Sequence, residues 1–167
     1  MTKHQIELVS KLMLKNISKE KFAKEFNCSS SYVKELLEVA YNEKNADDVD
    51  YLLHIVFTFN LVTSDYSDLL CRLMDAPWHF KHEDIASLFQ SYKFHQGIEY
   101  LYKAALTRHE YLDFDEAYAL AVKCIWALGA INTHDSISKL ELLTKSENEI
   151  IRDNAKYQLN RLRDVKS

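Results

Sequence analysis

Glycine and proline are almost missing from this chain, which has two glycines and one proline in 167 residues. Tight turns between β-strands usually need these residues, so their scarcity argues against a sheet and favours an all-helical fold. It also nearly excludes a glycine-rich loop that could hold phosphate. A sizeable core is still expected, because 47% of the residues are hydrophobic.

Cysteines and long apolar runs are equally scarce. Cys28, Cys71 and Cys124 are far apart, and each lies in an apolar helical pattern. This spacing favours reduced core thiols in a cytoplasmic protein over a disulfide framework or a metal site. No apolar run approaches the roughly 20 residues of a membrane span, and the charged first residues are unlike a signal peptide. We therefore expect a cytoplasmic protein with no membrane association.

The net charge of −4 is small but unevenly distributed. Residues 1–45 contain eight lysines and six glutamates, which leaves a net charge of +2, whereas the remainder carries −6. Proteins that bind nucleic acid concentrate Lys and Arg on the binding part. The acidic remainder is therefore not expected to wrap nucleic acid.

Apolar residues at helical spacing predict about ten helices. Thr2 and Gln5 have the spacing of a capping box for the first helix, and Ser18 is suited to cap the second. Asn27 is expected to take the left-handed turn that ends the second helix. Together with a third helix, these form a predicted N-terminal cap, residues 1–45.

Residues 18–43 also resemble a helix-turn-helix, with Ala23 at the small position of the first helix. A DNA-reading helix needs donors for base edges and phosphates. The second helix offers Tyr32 and Lys34, but its acidic residues would repel phosphate. A structural cap is therefore the favoured interpretation, and a DNA-binding transcriptional regulator with a helical sensor domain is the alternative function.

Helix pairs with similar spacing follow the cap. Their first helices end near Leu61, Tyr92 and Ile131, which indicates a repeat of roughly 30 and then 39 residues. The extra length lies in the linker 108–114, after which Asp113 and Glu116 are expected to cap the next helix.

The stretch from Ala119 to Leu162 has the clearest repeat pattern. It reads as an apolar helix, a turn at Gly129–Ile131, a second apolar helix, and a capping box of Ser146 and Glu149. This pattern resembles a HEAT-type helical repeat. The resemblance implies an all-α fold in which the cap precedes a short HEAT-like α-solenoid of antiparallel helix pairs, residues 46–167, within one compact unit.

Catalytic motifs are not apparent in the sequence. His79 and His82 are three residues apart and could share a zinc ion, but no third ligand follows at a set spacing. A surface helix start is therefore the preferred interpretation of this pair. No Ser-His-Asp order or nucleophile elbow is recognisable. We expect no enzymatic activity, no metal and no cofactor.

Acidic residues at helix starts and aromatic residues in turns are the candidates for a binding surface. Acids at helix starts complement the helix dipole, but in a solenoid they also line one rim and can steer a basic partner. Aromatic residues in turns can anchor an interface. The predicted partner-binding residues are Asp65, Asp68, Trp78, His79, Tyr111, Asp113, Asp115 and Glu116.

A small acidic helical array without catalytic motifs is most simply a binding module. Its architecture resembles bacterial immunity proteins that neutralise toxins of contact-dependent growth inhibition and other polymorphic toxin systems. The resemblance implies a tight 1:1 complex with a cognate toxin, with a basic nuclease domain as the expected partner. Acidic and aromatic side chains would cover the toxin active site. A generic scaffold without one dominant partner is a further alternative.

Overall fold

A computed structural model describes residues 1–112 and 117–164. Within these residues the chain contains ten α-helices and no β-strand. This confirms the all-helical class that the scarcity of glycine and proline predicts. None of these helices is both long and apolar enough to span a lipid bilayer.

The helices have the following bounds: α1 Lys3–Met13, α2 Lys19–Glu25, α3 Ser30–Glu43, α4 Ala46–Phe59, α5 Ser67–Met74, α6 His82–Tyr92, α7 Ile98–Leu106, α8 Ala119–Ile131, α9 His134–Leu143 and α10 Glu149–Asp164. They form two compact units. The first comprises Met1–Tyr66 and Trp78–Lys81, and the second comprises Ser67–Pro77 and the chain from His82 onward.

The first unit is built around α4, which packs against α1 and α3. Asn45 caps α4 by accepting a hydrogen bond from the Asp48 amide at 3.1 Å. Phe22 of α2 stacks on Phe26 and Phe59, with ring centroids 4.9 and 5.6 Å apart, so that α2 also packs at the end of α4. The sequence predicts a boundary at residue 45, whereas α4 packs with the helices that precede it.

Two of the predicted caps in this unit are confirmed and one turn is wrong. Thr2 and Gln5 exchange backbone and side-chain hydrogen bonds as a capping box, and Ser18 accepts from the Lys21 amide. Asn27 does not take a left-handed conformation; its side chain accepts from the Ser29 amide at 3.0 Å. Phe26, the residue that follows α2, is already extended, so the chain leaves this helix without a left-handed residue.

In the second unit α8 is the central helix. It packs against α6, α7, α9 and α10, and α9 packs in turn on α7 and α10. Eight of its thirteen residues are buried, as expected for a helix that is apolar nearly all round. This packing is consistent with a helical-repeat arrangement.

Gly129 lies inside α8 and not in the turn after it, so the predicted turn at Gly129–Ile131 is wrong. The helix ends at Ile131, and Asn132 takes the left-handed conformation with φ 51°. A Cβ at position 129 would lie 3.1 Å from Cδ of Gln158 on α10, and closer still to its Oε1. The glycine therefore serves the close approach of two helices.

The predicted start of α10 also needs correction. Asn148 caps this helix, because its Oδ1 accepts from the Ile151 amide at 3.1 Å. Ser146 instead accepts from the Asn148 amide at 3.2 Å, so it stabilises the turn before the helix. The expected cap of α8 by Asp113 and Glu116 lies outside the described residues.

Candidate protein-binding site

Residues 107–118 join α7 to α8 and contain half of the predicted partner-binding residues. Of these, Tyr111 is described, whereas Asp113, Asp115 and Glu116 lie outside the described residues. The described parts show how the two ends of this α7–α8 connection are held.

Tyr111 joins the connection to the start of α6. Its hydroxyl lies 2.9 Å from Nδ1 of His82, whose Nε2 lies 2.9 Å from the carbonyl oxygen of Ala76. A carbonyl oxygen can only accept, so Nε2 carries the hydrogen and Nδ1 accepts from the Tyr111 hydroxyl. Since the His82 side chain is fully buried, this pair of hydrogen bonds satisfies both of its nitrogens.

His109 completes a stack of three rings. Its imidazole lies on that of His82 with centroids 4.1 Å apart, and the Tyr111 ring is 5.6 Å from it. Burial lowers the pKa of His109 below 6.5 and raises the pKa of Tyr111 to about 12. Both groups are thus uncharged near neutral pH, and the base of the connection is an apolar stack.

A pocket of about 50 Å³ lies beside this connection. Its apolar wall comes from α7, α8 and α10 and includes Leu106, Leu120 and Ile151. Its polar edge is formed by Arg108, whose guanidinium carbon lies 5.5 Å from the centroid of the Tyr118 ring. The pocket therefore has the character of a site for a small apolar side chain with an acceptor beside it.

Tyr118 has a left-handed backbone, with φ 52° and ψ 44°, immediately before α8. This conformation is uncommon for a bulky residue and costs on the order of 1 kcal/mol or more. Such strain is concentrated at functional positions in proteins. Here it places the Tyr118 ring against Arg108 at the edge of the pocket.

The remaining predicted residues are not equivalent. His79 is fully buried, and its Nδ1 accepts from the Lys81 amide at 3.0 Å, so its side chain does not lie on the surface and its role in partner binding stays a prediction. His82 starts α6 as this pair was interpreted to do, but both His79 and His82 are buried, so the predicted surface location is wrong. Within residues 1–112 and 117–164 no group of three potential metal ligands is found.

Asp65 and Asp68 are exposed, but each carboxylate has a partner. Lys34 Nζ lies 3.0 Å from Asp65, and Arg72 Nε lies 3.0 Å from Asp68. Hydrogen bonds from Thr63 and then Lys34 lower the pKa of Asp65. These partners reduce the net negative charge that the two residues present to another molecule.

Trp78 is half-buried in the first unit. Its ring centroid lies 6.0 Å from that of Tyr41. Part of the indole is therefore engaged within the protein, and the rest is accessible to a partner.

Polar side chains at the start of α3 form contacts within the protein. Ser30 donates to the Leu61 carbonyl at 2.7 Å, and the Tyr32 hydroxyl accepts from Gln5 at 2.9 Å. Lys34 forms the ion pair with Asp65. A helix that reads DNA needs such groups to be available, so these contacts do not favour the alternative of a DNA-binding regulator.

Sequence reasoning missed His82, His109, Arg108 and Tyr118. One signal for His82 was present, because it precedes Ile85 and Phe89 by three and seven residues and shares the buried face of α6. The other three residues lie in the α7–α8 connection, and their contacts depend on the path of this connection over the helices. Helical periodicity does not predict the path of a connection between helices.

The α7–α8 connection thus combines a half-buried ring stack, a small pocket and a strained tyrosine with acidic residues that its sequence contains. No protein-family model matches the chain, and no curated protein or solved structure is significantly similar to it.

Proposed function

We propose that this chain is an immunity protein that acts in the cytoplasm and neutralises a cognate toxin. The partner is a basic nuclease domain, bound as a 1:1 complex whose formation covers the toxin active site. The supporting observation is the α7–α8 connection, in which a firmly held base precedes a run of acidic residues. This function requires no cofactor or metal on the immunity protein.

The charge of the connection suits such a partner. Residues 110–116 contain four acidic residues, Glu110, Asp113, Asp115 and Glu116, and no basic residue. A nuclease active site binds phosphates through positive charge, and carboxylates can occupy the same positions. Complementary charge also accelerates association at low salt.

The ring stack of His82, His109 and Tyr111 supports the proposal through preorganisation. It holds Tyr111, just before the acidic run, by one hydrogen bond to a fully buried imidazole, and it holds His109 by ring stacking. A side chain that is already held, as that of Tyr111 is, loses less conformational entropy on binding, and affinity rises accordingly. The neighbouring pocket offers a place for one apolar side chain of the toxin.

The proposal is tested by growth protection. The chain is co-expressed with the C-terminal domain of the protein encoded immediately upstream, which the proposal takes as the toxin, and survival is compared with a triple charge reversal, Asp113→Lys, Asp115→Lys and Glu116→Lys. We expect the unmodified chain to protect the cells and the triple variant to lose protection. A purified 1:1 complex should associate more slowly as salt is raised.

A matched control reverses three acidic residues in the first unit, Glu25→Lys, Glu35→Lys and Glu43→Lys, whose side chains are exposed. This variant has the same net charge as the test variant and should still protect. Equal loss of protection in both variants would show that total charge decides the outcome. Failure of the unmodified chain to protect would remove the proposed function.

A further inference from the structure

The first unit contains a groove of about 360 Å³ between the α1–α2 turn and the second half of α4. Leu12, Met13 and Ile17 provide its apolar floor, and His54 and Thr58 provide the wall on α4. This α1–α4 groove takes no part in the site described above.

The rim of the α1–α4 groove is positively charged. Lys15 and Lys19 line it, and no acidic residue does. Residues 11–24 contain five lysines and one glutamate, which leaves a net charge of +4 on 14 residues. The Lys19 ammonium donates to the Thr58 carbonyl at 3.2 Å, which holds it at the wall that α4 provides.

Two acidic residues precede or follow the lining residues closely in the chain, but neither lines the groove. A hydrogen bond from Ser18 and, to a smaller extent, the charge of Lys19 lower the pKa of Glu20 at the start of α2. Asp50, one turn before His54 on α4, forms an ion pair with Lys81 at 2.7 Å. The occupant that the groove favours is therefore anionic.

Apolar surface continues beyond the groove. Met13 is 38% and Leu14 is 70% exposed at the end of α1, and Phe57, one turn from His54 on α4, is 42% exposed. This area is larger than a small anion can cover. Methionine adapts its shape to different partners, and lysine stems lie well along apolar surface.

We propose that the α1–α4 groove binds an acidic amphipathic segment of a partner protein. Large apolar side chains of the segment lie on Leu12, Met13 and Ile17, and its carboxylates pair with Lys15 and Lys19. The site differs in charge and in position along the chain from the α7–α8 connection, and it does not depend on the proposed function.

The test uses a fluorescein-labelled helical peptide of 14 residues that carries leucine on one face and glutamate on the other. The control peptide has lysine in place of each glutamate. We expect saturable binding of the acidic peptide by fluorescence anisotropy and no binding of the basic one. Amide chemical shifts should change around Met13, Lys19 and Thr58.

A charge reversal identifies the surface. Lys15→Glu with Lys19→Glu should weaken binding by roughly tenfold or more, because two attractive charges become repulsive. Lys21→Glu with Lys24→Glu changes the net charge equally on exposed lysines outside the groove and should weaken binding far less. If loss of the Lys19 contact unfolds the protein, the single variant Lys15→Glu replaces the double variant, because the Lys15 side chain forms no ion pair within the part of the chain that the structure describes.

Three results would overturn the proposal. The first is equal weakening in both charge-reversal variants, which would indicate long-range attraction only. The second is no binding of the acidic peptide, or shifts confined to other residues. The third is binding to phosphatidylglycerol vesicles, with none to phosphatidylcholine vesicles or to the peptide, which would identify a lipid surface as the occupant.

Discussion

The contact between Gly129 of α8 and Gln158 of α10 leads to a prediction about one mutation, whose effect on the free energy of unfolding should change sign with the residue at position 158. Gln158 is fully buried, and neither its amide oxygen nor its amide nitrogen has a hydrogen-bond partner among residues 1–112 and 117–164. A Cβ at position 129 would approach this amide to 3.1 Å at Cδ and more closely at Oε1. The perturbation is Gly129→Ala, made in the parent chain and in a Gln158→Ala background.

Two opposing terms set the expected magnitude. Alanine is favoured over glycine inside a helix by about 1 kcal/mol. Forcing extra volume into a packed interior costs about 1–3 kcal/mol, and a fully buried amide has little room to move aside. In the parent chain we expect Gly129→Ala to lower the free energy of unfolding by about 1 kcal/mol.

In the Gln158→Ala background the clash is gone and only the helix preference remains. There Gly129→Ala should raise the free energy of unfolding by about 0.5–1 kcal/mol. The two effects differ by about 2 kcal/mol, which is the coupling energy of the pair and within the range found for residues in contact. The assay is urea unfolding of the four proteins, followed by far-UV circular dichroism.

The reasoning is refuted if Gly129→Ala has the same effect in both backgrounds, or if it stabilises the parent. Either result would mean that the Gln158 amide is not confined. The same amide supplies an internal check. Gln158→Leu removes two unsatisfied polar atoms at similar volume and should raise the free energy of unfolding by about 1–2 kcal/mol.

Three smaller predictions concern polar groups. Tyr111→Phe removes the donor to buried His82 and should lower the free energy of unfolding by about 1–2 kcal/mol. The control is Tyr118→Phe, which should change it little, because the Tyr118 hydroxyl makes only a long contact of 3.4 Å with Arg108. Burial lowers the pKa of His109, so the unfolded state binds its proton more readily. The free energy of unfolding should thus fall as pH drops below 6.5, and it should fall less steeply between pH 7.5 and 5.0 in the His109→Gln variant. Some of this pH dependence should remain in the variant, because the pKa of His54 is lowered as well. Lys34→Ala should cost less than about 1 kcal/mol, since its ion pair is partly exposed, and the unmodified chain should shift no DNA in a gel even at low salt.

Local signals in the sequence were sufficient where a single helix turn decides the structure. The Thr2–Gln5 capping box and the Ser18 cap are of this kind, because donor and acceptor lie three residues apart. The start of α10 shows the limit of such signals. Ser146 and Asn148 both match an N-cap, and which of them starts the helix depends on how α10 packs.

The turn predicted at Gly129 was wrong for a different reason. Glycine near the end of an apolar run predicts a helix stop, and the sequence offers no sign that another helix will pass over that position. The approach of Gln158, 29 residues later, decides its role. Asn132 provides the left-handed residue instead, and two candidates so close together cannot be separated without tertiary contacts.

The candidate site was predicted in part, as a segment and not as a geometry. Acidic composition and turn position directed attention to Tyr111 and the residues after it. The hydrogen bond from Tyr111 to His82 joins positions 29 apart, and the orientation of that imidazole depends on a further bond to the Ala76 carbonyl. Charge can be read along a chain, whereas the contacts that hold Tyr111 in place depend on folding.

Opposite charges on different parts of the chain allow the two binding proposals to be separated. The α7–α8 connection carries four acidic residues in residues 110–116, and the rim of the α1–α4 groove carries Lys15 and Lys19. Raising salt weakens both interactions, so salt dependence alone cannot distinguish them. Charge reversal can, because a basic toxin is attracted by one surface and repelled by the other. Lys15→Glu should therefore weaken binding of the acidic peptide and leave the rate of toxin association unchanged or slightly higher. Charge reversal at Asp113 should slow toxin association and leave binding of the acidic peptide unchanged or slightly stronger. A single partner that lost affinity through both reversals would have to contact both surfaces, which a uniformly basic domain cannot do favourably.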